Sequence, residues 1–145
     1  MKEWKNILLV EDNPRDRELT LETLKEINLI NEIIAVSDGE EALDYLLYKG
    51  KYTNRSKILP AVILLDLKMP KLSGIDVLKI IKNDPNLKYI PVVILTSSKE
   101  EIDLQNCYEY NVNAYVVKPV GYAEFVEAVK NVGLFWGIVN ETFKQ

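Results

Sequence analysis

Four apolar runs of this chain end in residues that could do chemistry. Ile7 to Val10 is followed by Glu11 and Asp12, and Ala61 to Leu65 by Asp66. Val92 to Leu95 is followed by Thr96 and Ser97, and Ala114 to Val117 by Lys118 and Pro119. Three carboxylates brought together repel one another unless a cation lies among them, and all-oxygen ligation with room for water suits a hard ion such as Mg2+. A lysine and a hydroxyl beside that ion offer positive charge and a donor to an anion with several oxygens, such as a phosphoryl group. Each residue also has a plainer reading: Asp12 as a helix cap, Thr96 as a strand end, Lys118 as a solvated charge. Only their conjunction at one place carries the chemistry.

The elements that must bring them together are legible. The runs Ile7 to Val10, Glu32 to Val36, Ala61 to Leu65, Val92 to Leu95 and Ala114 to Val117 are short, continuous and rich in β-branched residues, the pattern of strands buried on both faces of a parallel sheet. Helical periods alternate with them. The first opens at Asn13-Pro14, a cap followed by proline at the first helical position, with Thr20, Leu24 and Ile27 on one face and Leu21 beside them. The second follows Ser37-Asp38 and presents Ala42, Tyr45 and Leu46. The third follows Gly74 with Val77, Leu78 and Ile81, and a weaker, more polar fourth follows Ser98. The fifth runs from Tyr122 with Phe125, Val129, Val132 and Trp136 on one stripe. Five alternations with short connections predict an α/β, doubly wound, five-stranded parallel sheet flanked by five helices. Such sheets hold their ligands at the carboxyl ends of the strands, where strand order reverses. Those are the ends that carry the residues above.

The chain of 145 residues is long enough to bury one core and is read as a single domain over 1–145, with a core over 5–132 and a C-terminal extension over 133–145. It contains no histidine, which excludes Ser-His-Asp catalysis, histidine-containing zinc sites and a phosphohistidine carrier. No G-x-x-x-x-G-K pattern is present, which argues against a nucleotide phosphate loop. A net charge of -4 gives no general attraction to nucleic acid or to anionic membrane. The single cysteine, Cys107, reads as a small core residue and fits a reducing compartment. With no run of membrane-spanning length and no secretion signal at the N-terminus, the expected location is cytoplasmic.

Val10-Glu11-Asp12-Asn13-Pro14, Leu65-Asp66-Leu67-Lys68-Met69-Pro70 with Gly74, Leu95-Thr96-Ser97 and Val117-Lys118-Pro119 occur in this order. In these motifs the chain resembles a response-regulator receiver domain, a flavodoxin-like fold, from Lys5 to about Val132. The resemblance implies that Asp66 takes a phosphoryl group from a phosphohistidine on a sensor histidine kinase. It implies Mg2+ held by Glu11, Asp12, Asp66 and the backbone carbonyl of Lys68. Lys118 and Thr96 would then meet phosphoryl oxygens, Tyr115 would be the aromatic that turns inward as Thr96 moves, and Lys118-Pro119 would be a cis peptide. The implied output face is the fourth helix, fifth strand and fifth helix. The implied protein is no turnover enzyme: it phosphorylates itself with Mg2+ and loses the group slowly. The alternative is a receiver-shaped interaction module that never takes phosphate. A phosphatase with an aspartyl intermediate needs a second acid two residues after the nucleophile, and that position is Lys68.

Glu11 stands where many receivers have aspartate, a longer side chain that still reaches a metal through water. Asn111 occupies a turn where glycine is common, and Gly121 removes the polar cap expected before the last helix. The Glu-Asp-Asn-Pro opening, the basic loop over Lys49 to Leu59 and a last helix running into Phe135-Trp136 resemble the single-domain regulators associated with bacterial phytochromes, which would make the partner a light-regulated kinase. The loop reads either as a solvated insertion or as a kinase contact. The apolar tail, with Leu134, Phe135, Trp136, Ile138, Val139 and Phe143, points to packing on the domain or to a homodimer formed through the last helix and tail.

Overall fold

The computed structural model describes residues 5–26, 32–97, 100–118, 123 and 127. Five strands, β1 (Ile7–Val10), β2 (Ile33–Val36), β3 (Val62–Leu65), β4 (Val92–Thr96) and β5 (Ala114–Val117), alternate with α1 (Pro14–Glu26), α2 (Gly39–Leu46), α3 (Gly74–Asn83) and α4 (Glu101–Glu109). The sheet is wholly parallel in the order β2-β1-β3-β4-β5. The predicted strands are all present, and each boundary agrees to within one residue. The fifth predicted helix lies outside the described residues, apart from Ala123 and Glu127, which are helical. The tail and the Lys118-Pro119 peptide also lie outside them.

The continuous apolar strands are buried because both faces of the sheet are covered. Ile7, Leu9, Val62, Leu64, Val93 and Leu95 pack with Leu24 of α1 on one face. Leu8, Val10, Ile63, Leu65, Val92 and Ile94 meet α2 through Ala42, Tyr45 and Leu46, α3 through Val77, Leu78 and Ile81, and α4 through Cys107 on the other. Truncating one of these fully buried leucines or isoleucines to alanine costs about 2–5 kcal/mol. Cys107 is buried as expected, and burial, followed by the charge of Asp103, pushes its thiol up to about 11.

Each helix start has a polar reason. Asn13 Oδ1 accepts from the N–H groups of Arg15 at 2.9 Å and Asp16 at 3.1 Å, so Pro14 begins α1 behind a side-chain cap. Asp38 caps α2 through the Glu41 N–H, and Ser73 caps α3 through the Asp76 N–H. Asn111, at the turn where glycine is common, takes the left-handed conformation, with φ 60°, at the end of α4, where the Val112 N–H reaches back to the Cys107 carbonyl.

Candidate functional site

Because β1 has β2 on one side and β3 on the other, the chain leaves the carboxyl ends of β1 and β3 in opposite directions and opens a crevice between them. The parallel ladder runs one residue beyond each strand. The Asp66 N–H donates to the Val10 carbonyl at 3.1 Å, and the Glu11 N–H donates to the Val36 carbonyl at 3.1 Å. These bonds fix the backbones of two acidic residues at the crevice floor. Glu11, Asp12 and Asp66 each offer a carboxylate oxygen, all within 4.8 Å of one another. Glu11 and Asp66 are buried, at 2% and 5% exposure, and Asp12 is half-buried.

The loop after Asp66 is held in a tight return. The Gly74 N–H donates to the Leu67 carbonyl at 3.0 Å, and a Cβ at Gly74 would lie 2.2 Å from the Asp66 carbonyl oxygen. Glycine is required there by close approach of backbone to backbone. Within the loop the Lys68 N–H donates to Asp66 Oδ1 at 3.2 Å, which anchors one oxygen of that carboxylate. The Lys68 side chain turns away to α4, with its Nζ 3.2 Å from Asp103 and 3.9 Å from Glu100.

Lys118, just past β5, extends into the crevice. Its backbone N–H donates to the Thr96 carbonyl at 2.8 Å, tying the ends of β4 and β5 together. Its Nζ donates to Glu11 Oε1 and to Asp16 Oδ2, the latter at 2.9 Å, and stands 3.6 Å from Asp66 Oδ2. Burial pulls the Lys118 amine down, but its bonds to Glu11 and Asp16 and the charge of Asp66 outweigh this and raise it, so the ammonium stays charged. Glu11 responds differently: burial pushes its carboxyl up, the Lys118 bond pulls it back, Asp66 adds to the rise, and the result is about 7.

The structure therefore brings Glu11, Asp12, Asp66 and Lys118 into one crevice, as the sequence predicts. Thr96 is fully buried at the end of β4. Tyr115 is half-buried on β5, in register with Ile94 and packed against the core. Asp16, a direct partner of Lys118, is the residue that sequence reasoning missed. Its only signal was its place in the first turn of α1, and that turn attracts acidic residues for the helix dipole alone.

Three carboxylates, from Glu11, Asp16 and Asp66, share one ammonium here, and Asp12 adds a fourth beside Glu11 and Asp66, so the donor set has both the charge and the oxygen chemistry for a divalent cation.

Residues 7–130 match the family profile described as "Response regulator receiver domain". The chain belongs to the response regulator receiver family. This receiver is 42% identical over 132 residues to the response regulator Rcp1 of Synechocystis sp., a match covering 91% of this chain and 88% of that protein. Its fold superimposes on the bacteriophytochrome response regulator AtBRR with a TM-score of 0.84 at 54% identity, covering 93% of this chain and 96% of that one. The Mn(2+)-bound form of Rcp1 gives 0.78 at 41% identity, covering 92% and 94%. The phosphorylated cyanobacterial phytochrome response regulator RcpA gives 0.78 at 39% identity, covering 94% and 95%. Receivers are phosphoacceptors served by a histidine kinase, and among the described residues of this one no helix is long and apolar enough to cross a membrane.

The basic loop over Lys49 to Leu59 stands outside the sheet as predicted, but its cations are not simply solvated. The Arg55 guanidinium lies 3.8 Å from the Tyr45 ring centroid and 4.3 Å from that of Tyr48, and Lys57 Nζ lies 3.8 Å from the Tyr48 ring. Arg55 also donates from Nε to the Tyr45 carbonyl at 2.7 Å and from Nη1 to the Ser56 carbonyl at 2.8 Å. A one-turn 3-10 helix, Gly50–Tyr52, brings Tyr52 edge-on to Tyr45 and its hydroxyl to Glu41 at 2.7 Å.

Proposed function

We propose that Asp66 is the phosphoacceptor of this receiver. An Asp66 carboxylate oxygen attacks the phosphorus of a phosphohistidine on the partner kinase. A P–O bond forms, the P–N bond breaks, and the departing imidazole nitrogen keeps the electron pair and takes up a proton. The observation that carries this reading is the placement of Asp66: one oxygen anchored by the Lys68 N–H at 3.2 Å, the other 3.6 Å from the Lys118 ammonium. Lys118 neutralises charge on the transferring oxygens, and Thr96, at the end of the neighbouring strand, donates its hydroxyl to another of them. Glu11, Asp12, Asp66 and the Lys68 carbonyl would hold Mg2+, which supplies further positive charge to the transferring group when bound. The Mn(2+)-bound form of Rcp1, 41% identical to this chain, supports a divalent ion at such a site.

As Thr96 engages the phosphoryl group, Tyr115 turns into the space it leaves and changes the face formed by α4, β5 and the segment after it. The relation to bacteriophytochrome and phytochrome regulators supports a phytochrome-type kinase as the partner. The apolar tail supports a homodimer formed through it as the form that carries the signal. The group is then lost slowly to water.

Incubation with Mg2+ and acetyl phosphate should give a phosphoryl mass adduct that Asp66→Asn abolishes. No adduct, or one that survives the substitution, overturns the assignment.

A further inference from the structure

Of the three carboxylates around the Lys118 ammonium, Glu11 and Asp66 also belong to the cluster that could hold a cation, and Asp16 does not. Asp16 stands in the first turn of α1, 102 residues away in sequence, and its Oδ2 reaches Lys118 Nζ at 2.9 Å. That is well within hydrogen-bond range, whereas Asp66 Oδ2 at 3.6 Å is an ion-pair neighbour only. The Lys118 side chain is only 13% exposed, so its ammonium depends on these neighbours rather than on water for its bonds. The lysine is therefore hydrogen-bonded to Glu11, after β1, and to Asp16, on α1, and is only an ion-pair neighbour of Asp66. A phosphoryl oxygen on Asp66 would compete with Asp16 for this ammonium's donors.

We propose that Asp16 is a positioning residue that holds the Lys118 ammonium, by its hydrogen bond, just short of hydrogen-bond distance to Asp66 in the resting receiver and competes with the phosphoryl group for it. This rests on the reading of Asp66 as phosphoacceptor. The contact sets how readily the lysine turns from Asp16 to the phosphoryl group: transfer is slower, and in the resting state the lysine is an ion-pair neighbour of the nucleophile without a hydrogen bond to it. A residue that acted only on the helix dipole would affect the stability of α1 and leave Lys118 where it is.

Two measurements decide it. In metal-free protein, acetylation of Lys118 by an amine-reactive ester is followed by peptide mass spectrometry, with Lys68 and Lys88 as internal references. Asp16→Asn should raise Lys118 labelling roughly 3- to 10-fold relative to those lysines, and Asp16→Glu should restore it, because a hydrogen bond to a charged partner is lost and regained. At saturating Mg2+, adduct formation from acetyl phosphate should speed up several-fold in Asp16→Asn and return towards the parent rate in Asp16→Glu. Unchanged relative labelling in a natively folded Asp16→Asn protein, judged by circular dichroism, shows that Asp16 does not hold the lysine and overturns the proposal. Raised labelling with an unchanged transfer rate overturns the competition. A parent protein that forms no adduct removes the phosphoacceptor reading instead, while the labelling still decides whether Asp16 holds Lys118.

Discussion

Glu11 and Glu41 are both glutamates at least partly withdrawn from water, and their carboxyls are shifted in opposite directions. Glu11, at the crevice, is raised to about 7, first by burial and then by Asp66, with only part of one lysine to offset them. Glu41, beside the basic loop, also meets a burial penalty. The Ser37 N–H, the Tyr52 hydroxyl and Lys51 outweigh it, and its carboxyl is lowered. The loop satisfies its charges with partners close in sequence: ring faces, a nearby carboxylate and its own carbonyls. The crevice shares one ammonium among carboxylates from three elements and leaves negative charge in excess. Charge settled by local partners makes a rigid surface, whereas charge held in competition can be redistributed by an arriving cation or phosphoryl group.

The largest expected effect comes from the backbone beneath the crevice. A Cβ at Gly74 would meet the Asp66 carbonyl oxygen at 2.2 Å and Leu67 Cα at 2.5 Å, both backbone atoms that cannot swing aside. Gly74→Val should cost about 3 kcal/mol or more in denaturant unfolding. A cost under about 1 kcal/mol would mean that the crevice floor yields, and the contrast between a rigid frame and exchangeable charges would fail.

Next comes Arg55→Ala in the loop. It removes the guanidinium between Tyr45 and Tyr48 and its bonds to carbonyl oxygens, and so leaves Tyr48 at φ 59° with Lys57 but no guanidinium over its ring. The expected loss is about 2 kcal/mol of stability, with the rate of adduct formation from acetyl phosphate unchanged within roughly twofold. Arg55→Lys should recover less than half of it, because an ammonium lacks the planar fork. A changed phosphorylation rate would break the separation between loop and site.

The sequence exposes the crevice and hides the loop for a physical reason. A parallel strand buried on both faces must be continuously apolar, so a charged residue directly after it, such as Glu11, Asp66 or Lys118, stands out and must lie at one edge of the sheet. Strand ends shift by one residue, as at Ile33, Val62 and Thr96, without moving that edge. Asp16 is different. Its contact depends on how α1 lies across the sheet, and nothing near it in the chain encodes Lys118. The loop is hidden because its ladder depends on Tyr48 taking a left-handed conformation that its residue type does not favour. Only after that reversal does the spacing of Tyr45, Tyr48 and Arg55 become a stack.

The opposite shifts of the two glutamates separate by pH. Glu11 is raised, so the fold prefers its protonated form. Its contribution to stability is fully present below the ordinary value of 4.5 and is lost as pH climbs through about 7. Glu41 is lowered, so its contribution is present above 4.5 and is lost only as pH falls below that. In chelator, unfolding free energy should therefore drop by on the order of 2 kcal/mol between pH 5 and pH 8, and Glu11→Gln should flatten that slope. Mg2+ should also flatten it, because metal ligation requires the ionised carboxylate. A slope that survives Glu11→Gln would assign the pH response elsewhere and remove the contrast.

The smallest effect tests a contact that belongs to neither class. Lys68 reaches α4 through Asp103 at 3.2 Å and Glu100 at 3.9 Å, but its side chain is 50% exposed. An ion pair so open to water contributes less than about 1 kcal/mol and fades in high salt. Lys68→Ala should therefore barely move the unfolding midpoint, and 1 M salt should erase the difference at a screening length of about 3 Å. The bond nonetheless joins the loop after Asp66 to the start of α4, where the Leu104 N–H meets the Glu100 carbonyl at 3.2 Å. Amide exchange in that turn should quicken in Lys68→Ala at low salt and match the parent at 1 M. Exchange that is unchanged at low salt would leave the pair as surface charge, and the link from crevice to α4 would then run through the buried strands alone.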